Sequence, residues 1–357
     1  MKKTVLLDLG KLKDLCCGLG QVSHQLGMKL DGYDDEDIKI KFLLPHGFSR
    51  VFKAESEPLS LRRRYFPFIC KKYDLWHAIH QDSAYFPSSR SAPYVLTIQD
   101  LNFLEEKSRS KARKRLKRLQ QKVSRASVVT VASKYTEQIV RKNLNLKRGN
   151  QEIPVFTVYQ GIDLSVSPQK KINFSLSGKF LFTIGTILDK KNFGVLINFL
   201  KRLPDYQLVI AGRKDTEYAR MIEKKVEALG LGGRVILPGM ISEEEKRWLY
   251  RYCEAFVFPS KYEGFGMPVL EAMYFGKPVF LSTWSSLPEI GGEYAYYWKD
   301  FSPETMEKVF LMKMAEFRAN PNRSKEIKEY AERFNWDNTV GAYLKIYKDV
   351  LAGKSYR

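Results

Sequence analysis

Short apolar runs alternate with amphipathic stretches along nearly the whole chain, and the alternation plays out twice. In the first half the strand-like runs are Thr4–Leu9, Ile38–Leu44, Leu75–Ile79, Tyr94–Gln99, Val128–Ala132 and Val155–Val158. Helical patterns such as Gln21–Leu30 and Tyr135–Asn143 lie between most of them. Strands that alternate with helices predict parallel sheets joined by right-handed crossovers. The stretch Ser165–Gly178, with Ser, Pro, Lys and Gly and little apolar pattern, interrupts the rhythm. It then restarts with apolar runs at Phe180–Ile184, Tyr206–Ala211, Arg234–Leu237, Ala255–Phe258 and Pro278–Leu281. The helical patterns among them are Asn192–Leu203, Asp215–Leu229, Glu243–Tyr252 and Pro268–Phe275. Only helical patterns follow, at Pro303–Phe317, Asn322–Phe334 and Trp336–Leu351. The expectation is an α/β chain of two doubly wound, Rossmann-like domains. The first spans 1–165 and is joined by a last helix, 336–357, packing back on it; a linker spans 166–178; the second domain spans 179–335. A length of 357 residues suits two cores better than one. Facing sheets of this kind place ligands at their strand C-terminal edges.

Composition narrows the partners. No apolar run approaches the ~20 residues of a membrane-spanning helix, and Thr4–Leu9 is broken by Asp8 without a cleavage site after it, so no secretion signal is expected. Cys16, Cys17, Cys70 and Cys253 have neither zinc-site nor disulfide-framework spacing, which predicts reduced thiols in a cytoplasmic protein. The net charge of +20 is unevenly spread: +15 falls in residues 1–150, and +12 of that in residues 101–150. Within residues 107–122, basic side chains surround Leu116 and Leu119, which with Val123 recur at helical spacing. That describes a basic helix with one apolar seam, and Arg62, Arg63, Arg64, Tyr65 and Phe66 add to it. No aromatic side chain interrupts residues 107–125, so stacking on nucleic acid is not expected. Asp34, Asp35, Glu36 and Asp37 read as a solvated turn before a strand, and no metal is expected there or elsewhere.

The richest segment runs Phe258-Pro-Ser-Lys-Tyr-Glu-Gly-Phe-Gly-Met-Pro-Val-Leu-Glu-Ala272. An apolar strand ends at Phe258, a loop with Gly264 and Gly266 follows, and Pro268 suits the first turn of a helix. A helix N-terminus favours an anion such as a diphosphate. Glu263 in the loop and Glu271 one turn into the helix each offer two acceptor oxygens, which suits vicinal hydroxyls of a sugar or ribose.

The Glu-x7-Glu spacing around Gly-Phe-Gly-Met-Pro resembles the signature of glycosyltransferase family 4, a retaining family with the two-domain GT-B fold. Further blocks resemble that family in the same order: Leu75-Trp-His-Ala78, Tyr94-Val-Leu-Thr-Ile-Gln-Asp-Leu101, Val158-Tyr-Gln-Gly-Ile-Asp163, Gly185-Thr-Ile-Leu-Asp-Lys-Lys-Asn192 and Ser285-Ser-Leu-Pro-Glu289. The resemblance implies that Glu263 meets donor-sugar hydroxyls and Glu271 the ribose. It implies that the backbone of Gly264, Phe265, Gly266 and Met267 lines the sugar and diphosphate, and that Lys190 and Lys191 neutralise the diphosphate. It places Gly20, in the Gly18–Gln21 loop, near the donor phosphate. The family's usual His is replaced by Gln99, beside Asp100; Gln cannot titrate, and Asp100, His77 or His80 would have to supply any proton transfer there. The implied activity is hexose transfer from a nucleotide sugar, GDP-mannose favoured over UDP-sugars, to a glycan or lipid-linked acceptor in cell-surface polysaccharide or lipopolysaccharide synthesis. The basic first half would then dock at the anionic inner face of the cytoplasmic membrane. The competing expectation, prompted by Gln99, is a member of the family that binds donor without turnover.

Overall fold

The computed structural model describes residues 2–15, 17–65, 73–87, 92–162 and 172–354, apart from the side chains of residues 62 and 63. The chain divides into two compact units, Met1–Gly161 with Asn335–Arg357, and Ile162–Phe334. Residues 163–171, which include 166–171 of the expected linker, lie outside the described residues, and 172–178 belong to the second unit.

The first unit opens with β1 (Lys3–Asp8), α1 (Gly18–Leu30), β2 (Ile38–Leu44), β3 (Ser56–Pro58), α2 (Leu61–Tyr65) and β4 (Leu75–Ala78). It continues with β5 (Tyr94–Ile98), α3 (Phe103–Glu106), α4 (Arg109–Val123), β6 (Val128–Val131) and α5 (Lys134–Asn143). A small hairpin, β7 (Lys147–Arg148) and β8 (Gln151–Glu152), precedes β9 (Val155–Thr157). Seven strands form one sheet in the order β3-β2-β1-β4-β5-β6-β9, every neighbouring pair parallel. Helices on both faces of such a sheet bury its strands from two sides, so the strands read as nearly continuous apolar runs. Val5, Leu6, Leu75, Val95, Leu96 and Val129 are fully buried.

The second unit holds β10 (Lys179–Ile184), α6 (Gly194–Lys201), β11 (Tyr206–Ala211), α7 (Glu217–Ala228), β12 (Val235–Gly239) and α8 (Glu243–Tyr252). Then come β13 (Ala255–Phe258), α9 (Met267–Tyr274), β14 (Val279–Ser282), α10 (Leu287–Gly291), β15 (Tyr296–Trp298), α11 (Pro303–Ala319) and α12 (Arg323–Glu332). Its six strands are ordered β12-β11-β10-β13-β14-β15, all parallel. In chain order that is 3-2-1-4-5-6, the Rossmann arrangement, and the order reverses between β10 and β13. The core is aromatic: Phe182, Phe256, Phe258, Phe280, Trp298 and Phe310 are buried, with Phe280 and Phe310 centroids 5.0 Å apart.

The last helix, α13 (Trp336–Leu351), belongs to the first unit. Its buried face carries Trp336, Thr339, Tyr343, Ile346 and Tyr347. Three of these, Thr339, Tyr343 and Tyr347, make polar contacts in the first unit. The Tyr347 hydroxyl lies 2.7 Å from His77 Nδ1, while the Tyr343 ring packs 4.9 Å from the imidazole. His77 Nε2 lies 2.7 Å from Thr97 Oγ1, which is 2.6 Å from Thr130 Oγ1. Thr339 Oγ1 donates to the Tyr159 carbonyl.

Three local expectations need correction. Gly18–Gly20 is the first turn of α1 and not a loop. A Cβ on Gly20 would sit 1.9 Å from the Asp14 carbonyl oxygen, so glycine there permits close packing of the helix start on the preceding segment. Two edge strands, β3 and β15, were not expected from the pattern; each has three residues. Asp35 is more than solvated: it accepts from the Asp37 and Ile38 N–H groups and from Tyr33, and pairs with Lys348 of α13 at 2.8 Å. The last contact holds its carboxyl well below the usual carboxylate range. Among the described residues no cluster of side chains suited to a metal is found, and no helix is long and apolar enough to cross a membrane.

Candidate functional site

In the second unit, the loops that follow β10 and β13 flank the point where strand order reverses, the place where sheets of this type bind ligands. Each loop carries part of the sequence-predicted set. After β10 the chain passes through a short turn, Asp189–Lys191, that ends on Asn192 in the left-handed region. After β13 it runs through Pro259–Gly266 into α9. The two loops are fastened together by backbone. The Lys190 carbonyl accepts from the Lys261 N–H at 2.7 Å and from Ser260 Oγ at 3.2 Å. Lys190 thus helps fix the loops whatever its ammonium does.

This fastening brings Lys191 and Glu263 together. Lys191 Nζ is 2.5 Å from Glu263 Oε1, and both side chains are only 12% and 13% exposed. Ser260 Oγ is 2.7 Å from the same carboxylate oxygen. The ammonium also lies 4.8 Å from the centroid of the Phe258 ring, a cation–π contact that steadies the long side chain. The loop after β14 braces Glu263 from the other side. Its N–H donates to Ser285 Oγ at 3.1 Å, and Ser286 Oγ lies 3.1 Å from the Glu263 carbonyl and 2.8 Å from that of Phe265. Ser285 adopts a positive φ of 56° to do this. The Ser285-Ser286 block is therefore a support for the glycine loop.

Gly266 caps α9 with φ 111°, a conformation L side chains rarely adopt, and Pro268 follows in the first helical turn. The first N–H groups of α9 have no partners within the helix, and the helix starts directly from the glycine loop. Phe265, by contrast, has its side chain buried against Phe334, with centroids 6.2 Å apart, so only its backbone suits the lining role.

Glu271 lies one turn into α9. Its Oε1 accepts from Lys246 Nζ at 3.1 Å and its Oε2 from the Tyr250 hydroxyl at 2.8 Å. Both partners come from α8, and neither was singled out from the sequence; their four-residue spacing puts them on one helix face, but only the structure shows that this face meets α9. Lys246 also reaches Glu243 at 2.8 Å. Burial works against the Lys246 charge, and the two carboxylates outweigh it and raise its pKa. The Tyr250 hydroxyl is pushed well above its ordinary range by burial, then by Glu271.

The other predicted residues belong to the first unit. Gln99 is buried, and both ends of its amide are engaged: Nε2 donates to the Ile79 carbonyl at 2.9 Å, and Oε1 accepts from Gln160 at 2.6 Å. Its backbone N–H donates to Gln81, whose own amide donates to the Asp100 carbonyl. The side chain ties together the chain ends that follow β4, β5 and β9. Asp100 is partly buried and accepts from the Asn102 N–H at 3.0 Å. His77 and His80 are both buried, and burial depresses each imidazole to about 3. His77 is spent inside the core, and His80 Nδ1 accepts from the Asp82 N–H.

Residues 168–334, inside the second unit, match the family described as glycosyl transferases group 1. The serotype-specific mannosyltransferase WbdA of Escherichia coli is 32% identical over 193 residues, covering 51% of this chain and 23% of that protein. The O-antigen chain mannosyltransferase B of Escherichia coli is 28% identical over 184 residues, covering 50% and 48%. A GDP-mannose:cellobiosyl-diphosphopolyprenol alpha-mannosyltransferase of Xanthomonas oryzae is 29% identical over 155 residues, covering 43% and 41%. This chain therefore spans between under a quarter and about half of the length of these relatives. Among solved structures, the sucrose-phosphate synthase of Thermosynechococcus elongatus superposes with TM-score 0.76 at 18% identity, covering 99% of this chain and 100% of that one. HepE of Anabaena, in complex with UDP-glucose, superposes with TM-score 0.73 at 15% identity, covering 97% and 100%. The fold is GT-B, and residues 168–334 match the group 1 glycosyl transferases.

Proposed function

We propose that this protein is a retaining glycosyltransferase that moves a hexose, with mannose favoured, from a nucleotide sugar to a glycan or lipid-linked acceptor. The observation that carries the reading is the grouping at the strand-order reversal of the second sheet: the Lys191–Glu263 pair, the Gly266 cap of α9 and, one turn on, Glu271. A cation, a helix start and two carboxylates are what a diphosphate between two polyhydroxylated groups requires. In this reading Glu263 takes donor-sugar hydroxyls, and Glu271 takes the ribose. Lys191, with Lys190 beside it, offsets the negative charge that builds on the departing diphosphate. The backbone of Gly264, Phe265, Gly266 and Met267 lines the diphosphate and sugar. Asp100 and the loop that Gln99 holds serve the acceptor side, and Gly20 serves the donor phosphate. The route is front-face attack, in which the donor phosphate takes the acceptor proton, and the reading calls on no metal.

Three named mannosyltransferases among the relatives, one of them described as GDP-mannose-dependent, support mannose and GDP. The UDP-glucose complex of a structural neighbour keeps UDP-sugars as the second option. Cell-surface polysaccharide synthesis, at the cytoplasmic face of the membrane, is the pathway class that fits these acceptors. A thermal-shift panel of GDP- and UDP-sugars tests the donor. A ligand at 100 times its dissociation constant stabilises by about 2.7 kcal/mol, and Glu271→Ala is expected to abolish the shift. An unchanged shift in that variant overturns the site. Binding with no product from any acceptor or from water would favour a donor-binding protein without turnover.

A further inference from the structure

Glu271 is held through both of its carboxylate oxygens by side chains of α8. The capping box of Ser242 and Glu245 starts α8, and Lys246 and Tyr250 follow on the face turned to α9. The Tyr250 ring is fully buried, edge-on to Phe182 at 5.0 Å and near Phe256 at 5.5 Å, so its hydroxyl has a fixed position. Lys246 is itself mostly buried and is anchored by Glu243 as well as by Glu271. One donor meets each carboxylate oxygen of Glu271, and the side chain keeps 14% exposure. An ionised carboxylate offers about four lone-pair sites. Two are taken, one per oxygen, which leaves one on each oxygen for a ligand. Vicinal hydroxyls donate in that pattern; a single hydroxyl does not need it.

We propose that Lys246 and Tyr250 are positioning residues that lock Glu271 for two-point recognition of the ribose 2′- and 3′-hydroxyls, so that the site selects ribonucleoside diphosphate sugars over 2′-deoxyribonucleoside ones. The inference rests on the donor-binding reading of Glu271. Without its two α8 partners, the carboxylate rotates about its side-chain torsions and loses rotamer entropy on meeting a diol. With them it meets both hydroxyls already oriented. Loss of one hydrogen bond to a charged group in a desolvated site lowers affinity by about tenfold or more.

The test measures binding of GDP and UDP against 2′-deoxy-GDP and 2′-deoxy-UDP by calorimetry. The full chain and its Tyr250→Phe, Lys246→Met and Glu271→Gln variants are compared. The wild-type protein is expected to prefer a ribonucleotide by about tenfold or more. Tyr250→Phe and Lys246→Met should weaken the ribonucleotide while leaving its deoxy counterpart nearly unaffected, so the preference collapses toward one. A merely structural loss would weaken both nucleotides equally and leave the preference intact. Tyr250→Phe removes one hydroxyl and keeps the ring packing, so it decides the matter if Lys246→Met fails to fold. If Glu271→Gln loses the preference while Tyr250→Phe keeps it, the positioning role is overturned and the donor site stands. If the wild-type protein binds neither nucleotide, or Glu271→Gln binds them as wild type does, the donor reading fails and takes this inference with it.

Discussion

Acidification should loosen the first unit through His77, by an amount the structure allows one to work out. The imidazole has no solvent exposure, and its two nitrogens are each 2.7 Å from a hydroxyl, those of Tyr347 and Thr97. Burial depresses its pKa from the ordinary 6.5 to about 3. The folded value lies below the unfolded one, so between pH 6.5 and 3 the unfolded chain binds the extra proton. Stability is full above pH 6.5 and is lost as pH falls. One pKa unit corresponds to about 1.4 kcal/mol, so between pH 6 and pH 4.5 this histidine alone should cost roughly 2 kcal/mol. His80, depressed to about 3 by burial and then by Lys11, should add a similar loss. The assay is urea unfolding of the wild-type protein and of His77→Gln across that range, followed by hydrogen exchange of the α13 amides. Gln bonds to hydroxyls but does not titrate. The variant should therefore be less stable at pH 7 and show a pH slope shallower by about one proton. Carboxylates titrate in both proteins and cancel in the difference. Parallel profiles, or a native-state ring titration near pH 6 by NMR, would refute the reasoning.

Three further outcomes follow from the second unit and the basic helix. Lys191→Met leaves the Glu263 carboxylate with Ser260 as its side-chain partner, and thermal unfolding should show a loss of about 3 kcal/mol. Combining it with Glu263→Gln should recover part of that loss, and strict additivity of the two changes would argue against the pair. Gly266→Ala forces a side chain into φ 111°, with its Cβ 3.2 Å from Leu287 Cδ2; a cost of about 1–3 kcal/mol is expected by calorimetry, with nucleotide binding weakened as the α9 start shifts. Sedimentation with liposomes should show preference for anionic over neutral lipid, since Lys and Arg side chains near such a surface contribute about 1 kcal/mol each; Arg113→Glu together with Lys117→Glu, both on exposed positions of α4, should remove it.

The sequence made the alternation of strands and helices legible because parallel strands are buried on both faces and read as unbroken apolar runs. It hid β3 and β15 because each is a three-residue edge, one of them containing Pro58 and the other made of Tyr296, Tyr297 and Trp298, with no apolar run to mark it. The glycines at 18 and 20 look like a loop, and the tight approach of Gly20 to the Asp14 carbonyl, which excludes a side chain there, shows only in the folded geometry. Within the candidate site, Glu263, Glu271 and Lys191 stood out because they lie in contiguous blocks of the pattern. Lys246 and Tyr250 did not, since their contacts with Glu271 exist only where α8 meets α9. Gln99 was conspicuous as a departure, yet its two amide partners, Ile79 and Gln160, sit 20 and 61 residues away, beyond local pattern.

The placement of α13 has a consequence for how the protein is made. The first unit is written in two pieces, and the whole of the second unit is synthesised between them. At roughly 5–20 residues per second, the second unit takes on the order of ten seconds or more to emerge. During that interval His77, Thr97 and Thr130 face a surface whose aromatic cover has not yet been translated. The second unit has no such wait: Ile162 and Phe334 are joined by a backbone hydrogen bond, so its two ends meet and it can close on itself. The first unit therefore stays open until α13 is available, and a released chain truncated before Trp336 would hold the protein in that half-built state. Limited proteolysis of such truncated chains should leave the second unit intact and cut the first.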